Sequence, residues 1–262
     1  MNGLFVTATD TGVGKTVLSS CLLASMAAAG VPVRAFKPVV TGLDERLPPG
    51  AWPADHELLA TAAGMRAEDV TPLLFGPATS PHLAAELAGE RVDPAALLTA
   101  ARGGDDGETL IAEGVGGLLV PLAESYSVCD LAAELGLPVL IAARPGLGSI
   151  NHTLLTLRAA RAAGLDVRAV VLTPWPQQPD AIARSNRETI ARLGDVEVAC
   201  LEPVERPALG ELAAAGGRLP WRRWLDARGA APGARRRPDA RAAATAGRGV
   251  HRPSVQRVRS GG

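Results

Sequence analysis

The segment ATDTGVGKT, residues 8–16, has the residue types of a phosphate-binding loop. It ends in Gly-Lys-Thr like the pattern G-x-x-x-x-G-K-[ST], but Thr9 stands where that pattern has its first glycine. Backbone N–H groups of such a loop bind phosphate oxygens. We expect Lys15 to reach the β- and γ-phosphates and the Thr16 hydroxyl to bind Mg²⁺. The alternative is a glycine-rich helix start without a ligand, and the order of strand, loop and helix argues against it.

Lysine is rare in this chain, and both lysines lie in motifs. Of 27 basic residues only Lys15 and Lys37 are lysines. Lys37 belongs to FKPVVTG, residues 36–42, at the end of a predicted strand. An ammonium there could neutralise charge on a transferring phosphoryl group. A plain surface lysine is the alternative, and the scarcity of lysine elsewhere favours the functional interpretation.

A carboxylate ends another apolar run, TLIAEGVGG, residues 109–117. Burying Glu113 at the end of a strand is costly unless a cation or hydrogen bonds compensate its charge. Mg²⁺ held near Thr16 would be such a cation. Asp55 could supply a second carboxylate, although its position before a helical pattern fits a helix N-cap equally well.

A fourth candidate is LGSINHTLLT, residues 147–156. It follows an apolar strand and opens a helix, so the free N–H groups at Ser149–Asn151 would favour an anion such as a carboxylate. Taken alone, Asn151 or His152 is more typical of a cap or a surface position. ATSPH, residues 78–82, is predicted to be a polar loop.

Continuous apolar runs alternate with amphipathic segments, which predicts how these residues are positioned. The predicted strands are 4–9, 33–39, 109–114, 138–143 and 167–173. The predicted helices are 16–30, 55–64, 93–103, 128–136, 149–164 and 180–194. This alternation predicts an α/β fold with a doubly wound, mostly parallel sheet and helices on both faces, similar to P-loop NTPases. Ligands of such sheets bind beyond the carboxyl ends of the strands.

Composition limits the partners. Lys plus Arg equals Asp plus Glu at 27 each, which offers no electrostatic basis for binding nucleic acid or membranes. Cys21, Cys129 and Cys200 are far apart, which argues against a zinc or redox pair. No apolar run reaches transmembrane length and the N-terminus lacks the pattern of a signal peptide, so we expect a cytoplasmic protein.

The last residues differ in composition from the rest. Residues 226–262 contain nine Arg, two Asp and no Lys, Leu, Ile or Phe. We therefore predict one domain over 1–225 and a disordered tail over 226–262. A basic arm for nucleic acid and a sequence from a shifted reading frame are alternatives for the tail.

The motifs together resemble the dethiobiotin synthetases of biotin biosynthesis. The resemblance lies in TDTGVGKT (9–16), FKPVVTG (36–42), Asp55, TSPH (79–82), EGVGG (113–117) and LGSINHTLLT (147–156), in the family's order and at similar spacing. It covers roughly residues 3–205. The phosphate loop alone would place the chain only in a wider group of ATPases, which includes the cobyrinate amidases and chromosome-partition ATPases.

The resemblance implies a cyclo-ligase that makes a cyclic urea from 7,8-diaminopelargonic acid, CO₂ and ATP. One amine takes up CO₂ as a carbamate, which attacks the γ-phosphate and gives a carbamic-phosphoric anhydride. The second amine then closes the ring and releases phosphate. The resemblance also implies Mg²⁺ and a homodimer, in which the helix start at 149–151 binds the substrate carboxylate across the subunit interface.

Site residues follow from the same resemblance. It implies catalytic roles for Thr11, Lys15 and Lys37, and Mg²⁺ binding by Thr16, Asp55 and Glu113. The implied ATP-binding residues are Gly12, Val13, Gly14, Lys15, Thr16, Val17, Glu113, Gly114, Val115, Gly116, Thr173 and Pro203. The implied substrate-binding residues are Thr11, Lys37, Thr41, Ser149, Ile150 and Asn151.

The sequence departs from the family pattern at three positions. Gly12 stands where several members carry Glu, and Val115 stands where Ala is common. Thr173 stands where an Asn often contacts adenine, and Thr has no amide with which to bind a base edge.

Two alternatives come from the same ATPase group. An amidoligase would need an ammonia source and a different acceptor site, and KPVVTG and TSPH argue against it. A partition-type ATPase switch usually has a lysine early in the loop, where this chain has Asp10.

Overall fold

The computed structural model describes residues 1–46, 48, 50–104 and 107–226. The strands within these ranges are β1 (Asn2–Ala8), β2 (Val33–Phe36), β3 (Thr109–Glu113), β4 (Pro121–Ala123), β5 (Tyr126–Ser127), β6 (Val139–Ala143), β7 (Val167–Leu172) and β8 (Glu197–Cys200). The helices are α1 (Lys15–Ala28), α2 (Asp55–Ala63), α3 (Ala67–Val70), α4 (Pro81–Leu87), α5 (Pro94–Arg102), α6 (Val128–Leu135), α7 (Ser149–Ala162), α8 (Ala181–Gly194), α9 (Leu209–Gly217) and α10 (Trp221–Leu225).

Six strands form one parallel sheet in the order β2-β3-β1-β6-β7-β8. The chain runs from β1 to the edge strand β2, returns through β3 and then crosses to β6. The register pairs Val6 with Glu113, so the carboxyl ends of β1 and β3 meet at one edge of the sheet. A ligand crevice is expected where the strand order reverses. The predicted doubly wound parallel sheet is confirmed.

The central strand β1 is buried on both faces. Leu4, Val6 and Ala8 pack into the hydrophobic core beneath α1, whereas Phe5 packs into the core on the opposite face. Because both faces are covered, apolar side chains occur on both, which explains the nearly continuous apolar run in the sequence, interrupted only by the buried Thr7. The strand therefore holds the residues that follow it on a rigid base.

The C-terminal helices α9 and α10 pack against helix α1 and hold it in place. A Cβ at Gly216 of α9 would lie 2.0 Å from the carbonyl oxygen of Cys21, so only glycine permits this approach. At the start of α10, the indole N–H of Trp221 donates to Ser25 Oγ at 2.9 Å, and both residues are buried. These contacts keep α1, and the loop that precedes it, close to the sheet.

All five predicted strands and six predicted helices are present, with small differences at their ends. The largest difference is at β2, which ends at Phe36 rather than at residue 39, because Pro38 has no N–H to continue a ladder. Elements not predicted are α3, α4, α9, α10, β8 and the β4–β5 hairpin. The predicted polar loop 78–82 is wrong for its last two residues, since Pro81 and His82 begin α4. Proline suits the first turn of a helix, where its missing N–H needs no partner.

Two further sequence predictions concern the C-terminal tail and the absence of a membrane-spanning segment. The predicted tail 226–262 lies outside the described residues, except for Asp226, and the boundary of the 1–225 domain stays a prediction. Among the described residues, none of the helices has both the length and the apolar character that a membrane crossing requires.

Candidate active site

Residues 9–14 connect β1 to α1 and form the candidate phosphate loop. Gly14 directly precedes the helix with a φ of 96°, a left-handed conformation that favours glycine. A Cβ at Gly14 would also lie 3.2 Å from Thr173 Oγ1. No side chain caps the start of α1, so its first N–H groups are free to bind an anion. The segment has the geometry that a bound phosphate requires.

Lys15, the first residue of α1, is buried and folds back over this loop. Its Nζ donates to the carbonyl oxygen of Asp10 at 3.3 Å. Burial lowers the pKa of Lys15 to about 8; the carboxylate of Glu113 opposes this shift and the ammonium of Lys37 adds to it. Since Lys15 has no ion pair with a carboxylate among the described residues, its charged form would gain from a bound anion.

Lys37 lies directly after β2 and forms a buried ion pair at the end of the sheet. Its Nζ is 2.6 Å from Glu113 Oε1 and 2.8 Å from Asp55 Oδ2. Burial by itself would lower the pKa of Lys37, but the two carboxylates outweigh it and raise the pKa above its ordinary value. Lys37 is therefore a fixed cation over the whole physiological pH range.

Glu113, the last residue of β3, has no exposure to solvent. Its Oε1 accepts from Lys37 and from the Thr16 hydroxyl, the latter at 2.9 Å. Its Oε2 is buried and has no hydrogen-bond partner within the described ranges. An unpaired carboxylate oxygen is costly to bury, which indicates that it has a ligand in the working site.

Asp55 begins α2 and completes a group of oxygen atoms. Burial acts to raise its pKa, but the charge of Lys37 and a hydrogen bond from Lys37 outweigh it and lower the pKa, so Asp55 is ionised at neutral pH. The carboxylates of Asp55 and Glu113 and the hydroxyl of Thr16 are hard oxygen donors of the kind Mg²⁺ prefers. Since the described residues contain no cluster of three or more His, Cys, Asp or Glu suited to a metal, a bound Mg²⁺ would take its other ligands from water or phosphate.

A cavity of about 700 Å³ opens over these groups. It brings together most residues predicted from the motifs, namely Thr11, Gly12, Gly14, Lys15, Thr16, Val17, Lys37, Thr41, Asp55, Val115 and Gly116. Glu45 and residues Ala78–Pro81 also line it. The cavity thus joins a phosphate loop, two lysines and a group of acidic and hydroxyl oxygens, which is the chemistry of phosphoryl transfer to an acceptor.

The comparisons with known proteins agree with this chemistry. A family model described as an AAA domain matches residues 2–208. The ATP-dependent dethiobiotin synthetase BioD of Anaeromyxobacter sp. (strain Fw109-5) is 41% identical over 206 residues, covering 75% of this chain and 91% of that protein. The protein of the same name from Bacillus subtilis (strain 168) is 37% identical over 206 residues, covering 78% of this chain and 87% of that protein. This chain belongs to the dethiobiotin synthetase family.

Solved structures give a more distant similarity. The cell division ATPase MinD of Pyrococcus furiosus covers 82% of this chain and 89% of its own, with a TM-score of 0.49 and 17% identity. For this member of the dethiobiotin synthetase family, the fold is assigned from the strand order of its own sheet, β2-β3-β1-β6-β7-β8.

Some residues of the dethiobiotin synthetase motifs lie outside the cavity lining. The side chain of Val13 is packed in the core, and Glu113 and Gly114 lie beneath the surface of the cavity. Thr173 follows β7, is buried and packs against Gly14, so it supports the loop from below. Pro203 is exposed in the segment after β8. The structure does not bring these two residues into the cavity.

The first turn of α7 also lies away from the cavity lining. It contains Ser149, Ile150 and Asn151, and no side chain caps it. Ser149 Oγ is buried without a partner among the residues that the structure describes. The backbone N–H of Ser149 donates to the carbonyl oxygen of Gly146 at 3.3 Å, and the anion site predicted from LGSINHTLLT stays a prediction.

Sequence reasoning missed two side chains near the loop. Arg144, directly after β6, donates to the carbonyl oxygens of Thr11 and Gly12. The buried Asn186 of α8 donates to the carbonyl oxygens of Pro145 and Gly146. The position of Arg144 at a strand end was a usable signal, whereas Asn186 lies in a helix with no motif.

Proposed function

We propose that the protein is an ATP-dependent dethiobiotin synthetase, which forms the ureido ring of dethiobiotin from 7,8-diaminopelargonic acid and CO₂. The observation that carries the proposal is that one cavity is lined by the phosphate loop, including Thr11, and also by Lys37 and Thr41. Such an arrangement suits a reaction in which an acceptor must be held beside a γ-phosphate. The named relatives, similar over nearly their whole length, support the same reaction. Neither the amidoligase nor the partition-type switch is supported by these relatives.

ATP would bind with its phosphates on the loop. The free N–H groups at the start of α1 and the ammonium of Lys15 would compensate the phosphate charge. Gly12, Val13, Gly14, Thr16 and Val17 would contribute through their position in or next to the loop. The EGVGG segment would lie beside the nucleotide, and Thr173 would act on it through Gly14 rather than by a contact with the base.

Mg²⁺ would be held by Thr16, Asp55 and Glu113. The unpaired Oε2 of Glu113 supports this assignment, because a cation would satisfy it. When bound, the ion supplies charge compensation for the phosphate oxygens of ATP. The ammonium of Lys37 lies between the two carboxylates. It would also interact with the transferring phosphoryl group.

The protein's own groups account for the steps of the reaction. An amine of the substrate adds to CO₂ and loses a proton, which gives a carbamate whose charge Lys37 and the hydroxyls of Thr11 and Thr41 would stabilise. The carbamate oxygen then forms a bond to the γ-phosphorus, while the bond from that phosphorus to the bridging oxygen of ADP breaks. Finally, the second amine attacks the carbamoyl carbon, loses a proton and expels phosphate, which closes the ring.

The working form would be a cytoplasmic homodimer. The uncapped first turn of α7, with Ser149, Ile150 and Asn151, would bind the substrate carboxylate across the subunit interface. Since this turn does not line the cavity of its own chain, its position supports a role at the cavity of a second copy. Leu147, just before this turn, is 95% exposed in the single chain, and a subunit contact would cover it.

Incorporation of labelled CO₂ tests the proposal. The protein is incubated with diaminopelargonate, Mg²⁺, ATP and labelled bicarbonate, and the mixture is then acidified. A carbamate returns its CO₂ in acid, whereas a cyclic urea keeps it. We expect acid-stable label and one phosphate released per ring formed. A monoamine analogue that takes up CO₂ but cannot close the ring is the control. Phosphate release without acid-stable label from the diamine would refute the proposed reaction.

A further inference from the structure

Arg144 lies at the outer part of the phosphate loop, in none of the motifs. Its Nη2 is 3.3 Å from the carbonyl oxygen of Thr11 and 3.3 Å from that of Gly12. A Cβ at Gly12 would lie 3.5 Å from the same nitrogen. One nitrogen of an exposed guanidinium thus bridges two successive peptide groups of the loop.

These two hydrogen bonds fix the direction of two N–H groups. In a trans peptide the carbonyl and the next N–H point in opposite directions. Holding the carbonyl of Thr11 therefore aims the N–H of Gly12 away from Arg144, and holding the carbonyl of Gly12 does the same for Val13. Gly12 has a φ of 68° and no side chain, so the loop has little stiffness of its own here. A cation on the carbonyls also polarises the peptides and makes their N–H groups better donors.

The segment that carries Arg144 is itself held from α8. Asn186 is buried, and its Nδ2 donates to the carbonyl oxygen of Pro145 at 2.9 Å and to that of Gly146 at 2.7 Å. Both acceptors directly follow Arg144 in the chain. A buried amide whose nitrogen donates to two successive backbone carbonyls is a specific anchor, because it uses both of its N–H groups on this segment.

We propose that Arg144 is a positioning residue of this active site. It orients the N–H groups of Gly12 and Val13 for the phosphates of ATP, and it holds Thr11 at the acceptor side of the loop. Asn186 acts through Arg144 by fixing the segment that presents it. Only the kinetic test of this inference rests on the proposed function.

The geometry defines the variants. Both hydrogen bonds come from one nitrogen, so the ammonium in Arg144→Lys can replace them, whereas Arg144→Met removes both and keeps an apolar stem. Asn186→Leu keeps the volume and removes the donor. Arg66→Met is the matched control, because Arg66 is an exposed arginine that pairs with Glu68 and Asp69 away from the cavity.

Hydrogen exchange of the nucleotide-free protein tests the contact without any substrate. We expect amides of residues 9–17 to exchange about threefold faster or more in Arg144→Met and Asn186→Leu than in the wild type. Arg144→Lys and Arg66→Met should match the wild type. Unchanged exchange of this segment in Arg144→Met would overturn the proposal.

Kinetics test the consequence. We expect kcat/KM for ATP to fall about tenfold in Arg144→Met at an unchanged melting temperature, with most activity retained in Arg144→Lys. The double variant Arg144→Met/Asn186→Leu should fall no further than Arg144→Met. Losses that multiply in the double variant would overturn the assigned role of Asn186. If the wild type forms no labelled ring, the proposed function fails, and the exchange result still decides the role of Arg144.

Discussion

Lys37 and Glu113 form a buried ion pair, with Lys37 Nζ 2.6 Å from Glu113 Oε1. The pair joins the end of β2 to the end of β3 beneath the cavity. Glu113 is the last residue of β3, and Lys37 directly follows β2 with its backbone N–H donating to the carbonyl oxygen of Val70 at 2.9 Å, so the ammonium has a fixed position relative to the phosphate loop.

Replacing Lys37 with Met should abolish turnover and also destabilise the fold. The change leaves Glu113 buried without its cation, which costs about 3–5 kcal/mol. Turnover should fall at least about a hundredfold, because a fixed charge at the reacting groups is lost. Urea unfolding and the labelled-CO₂ assay measure the two effects. The control is Lys37→Met/Glu113→Gln, which should regain much of the stability and none of the turnover. Wild-type turnover in either variant would contradict the role of Lys37.

ATP binding should take up a proton at pH 8.5. In the free protein the pKa of Lys15 is lowered to about 8, so the neutral amine predominates at this pH. Phosphate charge favours the ammonium and raises that pKa, so roughly half a proton or more should be taken up per ATP, and affinity should decrease as pH rises above 8. Lys37 adds nothing to the uptake, because its raised pKa keeps it charged before and after binding.

Calorimetry in two buffers of different ionisation enthalpy measures this uptake. Lys15→Arg is the matched control, because a guanidinium stays protonated throughout and should bind ATP without proton uptake. Equal heats in the two buffers for the wild type would show that Lys15 is already charged in the free protein.

Gly14→Ala should lose ATP binding, whereas Gly30→Ala should keep it. Both glycines have left-handed backbones, with φ of 96° and 75°, so each alanine should cost about 1–2 kcal/mol of stability. A Cβ at Gly14 meets Thr173 Oγ1 at 3.2 Å, while one at Gly30 meets nothing within 4 Å. Thermal unfolding with and without ATP separates the two effects. A similar ATP-induced stabilisation in both variants would mean that the shape of the loop at Gly14 is not needed for the nucleotide.

Ser25→Ala should destabilise the protein more than Ser19→Ala, although both serines lie buried in α1. Ser25 Oγ accepts from the indole of Trp221, so its loss leaves a buried N–H unsatisfied at a cost of about 1–3 kcal/mol. Ser19 Oγ has no partner among the described residues, so alanine there should be neutral or stabilising. Equal free energies of unfolding in urea for the two variants would contradict the importance of the Trp221 contact.

Much of the site could be predicted from the sequence, because its residues follow strands. Lys37 and Glu113 lie at the ends of β2 and β3, and parallel strands bring such positions to one edge. The scarcity of lysine and the order of the motifs along the chain indicated the other predicted site residues. The sequence could not indicate that Thr173 would pack beneath Gly14, since this depends on the contact between β7 and the loop.

The missed elements have weak local signals. β8 and the C-terminal helices α9 and α10 are short, and their stability depends on packing against β7 and α1 rather than on periodicity. Helix α4 was not predicted, because the polar residues that precede it favour a loop. Asn186 was missed because its partners are backbone carbonyls, which leave no trace in side-chain patterns, whereas Arg144 was missed although it directly follows a predicted strand.

The central place of β1 in the sheet has a consequence for synthesis on the ribosome. β1 and its loop are made before both of its neighbours in the sheet, since β3 and β6 begin only at Thr109 and Val139. The nascent chain therefore carries β1 as an unpaired apolar strand until β3 has been made, and with one side still open until β6 has been made, a situation that favours chaperone binding or aggregation. A fragment that stops before β6 would contain TDTGVGKT and KPVVTG in full, but β1 would then be an edge strand and the phosphate loop would have lost the sheet on one side.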